Sequence, residues 1–473
     1  MSSFAGLSTA LSSLIAQRQA LEVSGQNIAN ANTVGYTRQR ANLQSVAANA
    51  APSMFSAGLS TGNGTTVSSI SRLGDIFLDA RVRSETGSAS LAANKADTYL
   101  RLESTVAEPG DTGISAALQK FWGGWEEVAS NAGSAASRTI LLKSATALTE
   151  RISAGYASVV TQWNQTRTEL TAAVTDVNSS ATMIAGLNDS IRSALVSGGA
   201  ANELIDQRNV LVTGLSASIG ATGVERADGT LDVMVDGNAL VRGVTAHAIA
   251  SNVDGATMGS DVFLTWAGSA TPLGASSGAI VGMVSALAKA EPDGKGGILA
   301  EAAASYDKLA TTLMSTVNTQ HADAVTQSNV GGGAFFTSAS NPDGTYSAAN
   351  LKVAITNGAD IAVGKVGMGA LDGSQGMEMA KIGIDAKGPD AQWTAWVANL
   401  GVSSRAATSR AAITESTRSN AVGLQMSNAS VDVDEEAANM LTYQRAYQGA
   451  ARVMTAIDEM LDTLINRTGI VGR

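Results

Sequence analysis

Residues 430–469 read SVDVDEEAANMLTYQRAYQGAARVMTAIDEMLDTLINRTG. Apolar positions recur there at Met440, Tyr443, Tyr447, Ala450, Met454, Ile457, Leu461 and Leu464, in steps that alternate three and four. Such a stripe lays one narrow apolar edge along a helix and asks for a partner helix. From Glu435 to Arg467 there is no Pro, and the only Gly is Gly449. Asp432, with Glu435 three residues on, predicts a capping box, and Gly469 predicts the C-terminal stop. At ~1.5 Å per residue the helix would be roughly 50 Å long.

The other end of the chain carries the same rhythm. Phe4, Leu7, Leu11, Leu14, Leu21 and Ile28 follow it, with Arg18 and Gly25 as exceptions. One stripe alone is marginal in water, because helices in proteins are stabilised mainly by packing an apolar face. Two stripes at opposite ends predict a terminal helix pair with everything between looped out from it. The alternative is that each end helix packs on its nearest domain.

A chain of 473 residues is too long for one core, so two to four domains are expected. A net charge of −10 and the lack of a Lys/Arg run argue against a nucleic-acid partner. Abundant small residues permit close helix packing but make thin cores. The absence of cysteine excludes disulfides, thiolate catalysis and Cys-ligated metals. The N-terminus has no basic region, and Gln17, Arg18 and Gln19 interrupt any apolar run, so no secretory signal is read. No segment is apolar for eighteen residues, so no membrane insertion is expected. By these rules alone the protein reads as cytoplasmic.

The pass along the chain predicts a mainly α fold with inserted β. Residues 1–75 form the first helix (4–30) and an extended segment with a strand near Gly64–Ile70. Residues 76–219 form a helical bundle. It has a helix to Val106, stopped by Pro109–Gly110, and a short one from Ile114 to Val128. One or two very long helices follow through Leu195, permitted by the absence of Pro between Asp111 and Thr271, and a last helix spans 202–219. At 220–285 the period switches to two and predicts a small β domain. Residues 286–330 return a helix to the bundle. Residues 331–390 form a Gly-rich β/loop excursion, with strands at Leu351–Ile355 and Ile361–Val366. Residues 391–429 add another bundle helix, and 430–473 form the C-terminal coiled-coil helix. The order implies an elongated hairpin of a molecule, termini together at one end and the β insert at the other.

Three segments carry a family resemblance: IANANTVGYTRQ at 28–39, NELIDQRNVLV at 202–212 and VDVDEEAANMLTYQRAYQGAARV at 431–453. VNTQHAD at 317–323 and AFF at 334–336 also fit. The chain resembles the bacterial flagellar axial proteins, most of all the hook-associated protein 1 (FlgK) family of the hook–filament junction. Val34 stands where that family often has Pro. The first and third segments are shared with hook and rod proteins. The second, with the interior helices, favours the junction family.

The resemblance implies a structural role with no cofactor and no catalysis. It implies unfolded export through the flagellar type III channel, so an extracellular place in the flagellum after a cytoplasmic stage. The implied partners are the hook protein, a second junction protein, further copies of the chain, and an export chaperone at the C-terminal helix. Both terminal stripes become assembly surfaces, and Asn30, Asn32, Thr33, Gly35, Tyr36 and Arg38 become the signature loop. Two other readings stay open: a hook or rod subunit, and an exported hydrolase on an axial scaffold.

Candidate chemistry is thin. Asp432, Asp434, Glu435 and Glu436 could hold a hard cation, but acids at a helix N-terminus also complement its dipole. His247 and His321 lie in different blocks without clustered carboxylates, against a metal or triad role. GNG at 62–64 and the glycines at 331–333 lack the rest of a phosphate loop. Trp122, Trp125, Trp163, Trp393 and Trp396 sit at helical spacing, as core residues do. Tyr36, Arg38 and Arg40 form an aromatic–basic patch on an irregular loop, either a binding element or a plain turn.

Overall fold

The computed structural model describes residues 3–47, 62–341 and 344–467; side chains at 3–5 and 466–467 lie outside the description. Phe4 is therefore placed on a helix without its side chain, and Gly469 lies outside the described residues.

The chain opens with α1 (Ser3–Ala29) and an antiparallel pair, β1 (Gln39–Ser45) and β2 (Thr65–Arg72). Three helices follow, α2 (Ile76–Val106), α3 (Ile114–Ser130) and α4 (Ala135–Val196), then α5 (Asn202–Ile219). Helix α4 is a single helix of 62 residues, about 93 Å at ~1.5 Å per residue. Ser134 caps it by accepting the Ser137 N–H at 3.2 Å. Its apolar positions Leu141, Leu148, Ile152, Val159, Trp163, Leu170, Val177, Ile184 and Ile191 are all buried. That unbroken stripe is why a helix far above the usual length stays ordered.

Four short strands make one antiparallel sheet in chain order: β3 (Thr222–Glu225), β4 (Leu231–Val235), β5 (Asn238–Arg242) and β6 (Thr245–Ala246). A second pair is β7 (Ile249–Ser251) with β8 (Leu264–Trp266). Helices α6 (Ala279–Leu287) and α7 (Ile298–Ala322) return to the bundle. Then come β9 (Phe336–Thr337) paired with β10 (Lys352–Val353), α8 (Ser374–Lys381), α9 (Pro389–Ala429) and α10 (Val433–Asp462), which ends in a π turn at Thr463–Arg467.

The architecture is mainly α with inserted β, and elongated. Three expectations need correction. The stretch 220–285 is not a separate β domain, because Leu231, Val233, Leu240 and Val241 share one apolar core with α4 and α7, and 279–287 is helix. Nor does the β insert lie opposite the termini. Asn188, near the end of α4, donates to the Leu231 and Gly243 carbonyls at 2.9 and 2.6 Å, which holds the sheet at the terminal end of the body. The opposite tip is built by residues 358–376, where buried Arg138 donates to the carbonyls of Gly358 and Ile361. Finally, only Lys352–Val353 of the first strand expected in 331–390 is in a ladder. Ile361–Val366 makes only a bridge at Gly364 to Val325, and α8 replaces expected loop.

The five tryptophans do pack as core, with Trp396 partly covered. At the centre, Phe121, Trp125, Phe335 and Phe336 stack with ring centroids 4.9–6.2 Å apart. VNTQHAD and AFF meet here: the Asn318 side-chain Oδ1 accepts both the Phe335 and Phe336 N–H groups at 2.8 Å. His321 is fully buried, its Nδ1 donating to the Gly333 carbonyl and its Nε2 accepting from the Ala362 N–H. Burial pushes its pKa down, so it is a neutral strut.

Helices α1 and α10 pair along their lengths. On α10 the stripe faces α1: Ala450 and Ile457 are buried, Met440, Tyr443, Met454 and Leu461 half-buried, and Tyr447 and Leu464 exposed. On α1 the deep positions are Ala10, Ala16, Ala20, Val23, Ser24 and Asn27. The expected stripe lies beside them, with Leu7, Leu14, Leu21 and Ile28 half-buried and Leu11 exposed. The cause is a second partner: the β1–β2 hairpin packs Ala41, Val67 and Ile70 against Ala20 and Val23, and Tyr443 joins from α10. Only small side chains fit beneath a hairpin and a helix at once.

Candidate assembly joint

The signature loop is where the terminal coil meets the body. It begins on Asn27, fully buried at the end of α1. The Asn27 Oδ1 accepts the Gln39 N–H at 2.9 Å and the Tyr36 hydroxyl at 2.8 Å, while its Nδ2 donates to the Gln39 carbonyl at 2.8 Å. One side chain thus closes the loop into a ring. Asn30 donates to the Gln26 carbonyl and accepts from Thr33 Oγ1, a local turn. Asn32 is exposed. Gly35 has φ +80, and a Cβ there would meet Val210 at 2.2 Å, so a side chain is barred by both conformation and space.

From this ring three bridges run outward. The Thr37 N–H donates to Asp206 Oδ2 at 3.1 Å, and Arg72 pairs with Asp206 Oδ1 at 2.6 Å. Arg72 also donates to Thr37 Oγ1 at 2.8 Å. Burial pushes the Asp206 carboxyl up and Arg72 opposes it. A second bridge joins Gln39 to Glu203 and Asn202 at 3.0 and 2.9 Å. Both bridges land on α5, so the segments 28–39 and 202–212 bind each other.

The third bridge crosses nearly the whole chain. Arg38 forks onto Glu435 at 2.7 and 3.0 Å and reaches Glu436 at 2.7 Å. Glu436 is 2% exposed. The Arg38 backbone is held too, its N–H donating to the Ala429 carbonyl at 2.9 Å and its carbonyl accepting from Leu73. Charge-assisted forks of this kind are strong and directional. Hydrogen bonding to Glu435 raises the Arg38 pKa, and Arg38 holds the Glu435 carboxyl below its usual range. Asp432 caps α10, accepting the Asp434 and Glu435 N–H groups. The capping box is therefore half formed, because the Glu435 side chain turns to Arg38 instead of back to Asp432. The acidic cluster is spoken for by dipole and arginine, and among the described residues no group of His, Cys, Asp or Glu is arranged to hold a metal ion.

Tyr36 sits in the middle of these acids. Desolvation by burial, helped by Glu203, Asp206 and Glu436, pushes its phenol up to about 12, so it stays a hydrogen-bond donor to Asn27. Arg40 is exposed and points away to half-buried Asn42, leaving the aromatic–basic patch divided. Outside the ring, α4, α5 and Val34 enclose a groove of about 840 Å³.

The loop thus orients two helices, α1 and α10, against α5. Nothing in it is arranged for bond-making chemistry; it transmits position. Asn27 and Asp206 were not singled out from sequence, although Asp206 lies inside the quoted 202–212 segment. Their signal was that both motifs carry amide side chains, and the second also two acids, all of which need partners when buried.

A family model described as the flagellar hook-associated protein FlgK helical domain matches residues 99–336. Models described as the flagellar basal body rod FlgEFG protein C-terminal and the flagella basal body rod protein match residues 424–467 and 7–37. Flagellar hook-associated protein 1 of Bacillus subtilis (strain 168) is 29% identical over 508 residues, covering 100% of both chains. The protein of that name from Salmonella typhimurium is 30% identical over 245 residues, 51% of this chain and 43% of that one. In fold, the flagellar hook junction protein FlgK from Burkholderia pseudomallei matches with a TM-score of 0.64 at 15% identity, over 74% of this chain and 100% of that one.

Proposed function

Because the chain belongs to the flagellar hook-associated protein FlgK family, a structural and not an enzymatic family, we propose that it assembles on the distal end of the hook and joins the hook to the filament through a second junction protein. The observation that carries this reading is the half-covered terminal coil. Leu11, Ile15, Leu441, Val453, Met460 and Leu464 are 47–62% exposed on a helix pair anchored firmly at its base. Apolar side chains in that number mark a surface that neighbours cover. Further copies of the chain and the hook protein supply those neighbours, and ordering of the coil is coupled to binding. Until then the stripe invites aggregation, and α10 is the surface an export chaperone would shield. Export runs unfolded through the flagellar type III channel to the flagellum outside the cell.

A hook or rod subunit is the second reading, and the long interior helices α2, α4 and α9 speak against it. Electron microscopy of a strain lacking the gene, with a blot for flagellin in the medium, decides between them. Bare hooks with shed flagellin are expected; missing hooks would sink the junction reading. The double change Leu461→Asp, Leu464→Asp leaves the body folded by circular dichroism and gives the same bare hooks. Normal filaments on that variant would remove the coil from the assembly surface.

A further inference from the structure

We propose that the cleft between α7 and α9 binds a neutral oligosaccharide, with one of its pyranose rings stacked on Trp396. The site lies on the body, far from the joint. Gln392 stands at the cleft, while Gln425 bonds Asp79 at the joint end of α9. The stretch of helix between them is roughly 50 Å long at ~1.5 Å per residue. The proposal therefore does not depend on where in the flagellum the protein stands.

The floor of the cleft is an aromatic stack. Trp393 is fully buried and donates its indole N–H to Glu108 Oε1 at 3.2 Å. Trp396 rests against it with ring centroids 4.7 Å apart, and Tyr306 meets Trp396 edge-on at 5.8 Å. Trp396 itself is only half-buried, and the part left open lines the cleft. A flat apolar surface whose tilt is fixed from behind is what the C–H face of a pyranose packs on.

The lip is equally fixed. Residues 289–297 fold back onto the start of α7, where Glu301 Oε1 accepts the N–H groups of Glu291 and Gly296 at 2.7 and 2.9 Å. A Cβ on Gly296 would meet the Lys289 carbonyl at 2.3 Å, and one on Gly297 the Ala288 carbonyl at 1.9 Å, so this return closes only on glycine. The cleft it bounds holds about 920 Å³. Small-molecule sites span ~300–1,000 Å³, so there is room for more than one sugar ring.

The walls select a neutral ligand rich in hydroxyls. Their charges satisfy one another: Lys295 pairs with Asp293 at 3.1 Å, Lys289 with Glu291 at 3.8 Å, and Glu301 is held by the loop. Exposed Lys308 remains at the rim. Ser305 and Asn399 face each other across the two helices. Gln392 has a buried Oε1 that accepts no hydrogen bond from any described residue. Its last side-chain torsion is soft, so the amide turns to the cleft when a hydroxyl there donates to it, and the unmet acceptor is satisfied. An ion would find one exposed lysine and no buried charge. A peptide would find no sheet edge, only helix walls whose backbone bonds are already made. A flat C–H face ringed by hydroxyls matches both the floor and the walls.

The test uses the purified full-length chain with maltotriose, cellotriose and triacetylchitotriose, and with trigalacturonic acid as the charged control. Tryptophan fluorescence is titrated, and saturation-transfer NMR reads which sugar protons touch the protein. At least one neutral trisaccharide is expected to bind with a Kd of about 1 mM or tighter, with transfer strongest to the C–H protons of one ring face. Trp396→Ala weakens that binding on the order of tenfold or more, and Gln392→Ala by a smaller factor. If Trp396→Ala disturbs the stack, Ser305→Trp fills the cleft from the opposite wall with Trp396 left in place. That variant abolishes binding while its circular dichroism stays that of the parent. Failure of all three neutral sugars to bind, binding that survives Ser305→Trp, or tighter binding of trigalacturonic acid each overturns the proposal.

Discussion

The terminal coil and the helical body share a helical rhythm and fill it differently. The body closes over large side chains: Leu118, Phe121, Trp125, Leu148 and Ile152 are wholly buried in one core that runs from Leu102 to Leu400. The coil closes over small ones, with Ala10, Ala16, Ala20, Val23, Ala450 and Ile457 at its seam, and leaves its larger residues half or fully exposed. Burial stabilises at about 25 cal/mol per Å², so a seam of alanines holds far less than a seam of leucines and tryptophans. The body is built to stand alone, and the coil is built to be finished by something else.

That contrast breaks first under mutation of the body. Leu148→Ala opens a cavity beneath the first quarter of α4 and is expected to cost about 4 kcal/mol. Denaturant unfolding followed by tryptophan fluorescence, which reports the body, should show the lower midpoint. The coil, anchored on the body through the joint, should be lost no later. A coil that stays helical after the body has melted would show that the two are independent.

The joint comes next. Arg38→Ala leaves Glu436 buried without its cation, a loss on the order of 3 kcal/mol local to the joint. Hydrogen exchange at the start of α10 and cleavage near Ser430–Asp432 should accelerate while the body midpoint holds. Glu436→Gln on the same chain should return part of the protection. If the body midpoint falls by the same amount, the joint belongs to the body's core.

Ile457→Ala tests the seam itself. Ile457 covers Gly6, whose Cβ position lies 3.1 Å from its Cδ1, and truncation is expected to cost about 2 kcal/mol. Faster exchange should appear in the first turns of α1, with no change in body or joint.

What was legible in the sequence follows the same divide. The length of α4 was readable because periodicity and the absence of Pro are local facts. The terminal pairing was readable from two stripes, but the choice of buried residues on α1 was not. That choice depends on a hairpin whose strands are only faintly amphipathic, with Ala41, Val67 and Ile70 as their inner face. Helices α6 and α8, at 9 and 8 residues, lie among glycines and show too few turns for a period to emerge. Arg38 stood out as a basic residue in a loop. Its partners lie 397 and 398 residues away, and charge pairing at that separation leaves no mark in spacing or composition. The motifs were visible one by one, and their mutual contacts were not.

A final effect, read in pH, divides body from coil by sign. Asp390 lies in the first turn of α9 with its Oδ2 accepting the Trp122 indole N–H at 2.7 Å, and burial raises its carboxyl from 3.8 to about 6. A raised acid favours the fold in its protonated form, so its contribution is complete below about pH 4 and is lost as pH rises to about 6. Glu435 is the reverse: Arg38 lowers it, so its contribution is present above its ordinary value of 4.5 and is lost as pH falls through the lower value of the folded protein. Acidification from pH 7 to 4 should therefore tighten the α3–α9 contact. Only below that range should it loosen the start of α10. Asp390→Asn should flatten the first trend and leave the second, because the amide oxygen still accepts from Trp122 and carries no charge. Asp206, whose carboxyl is raised by burial, acts on α5, so exchange must be read at α10 and α9 to separate the two. Body and coil loosening together over the same pH range, with Asn at 390 making no difference, would show that one titration governs both.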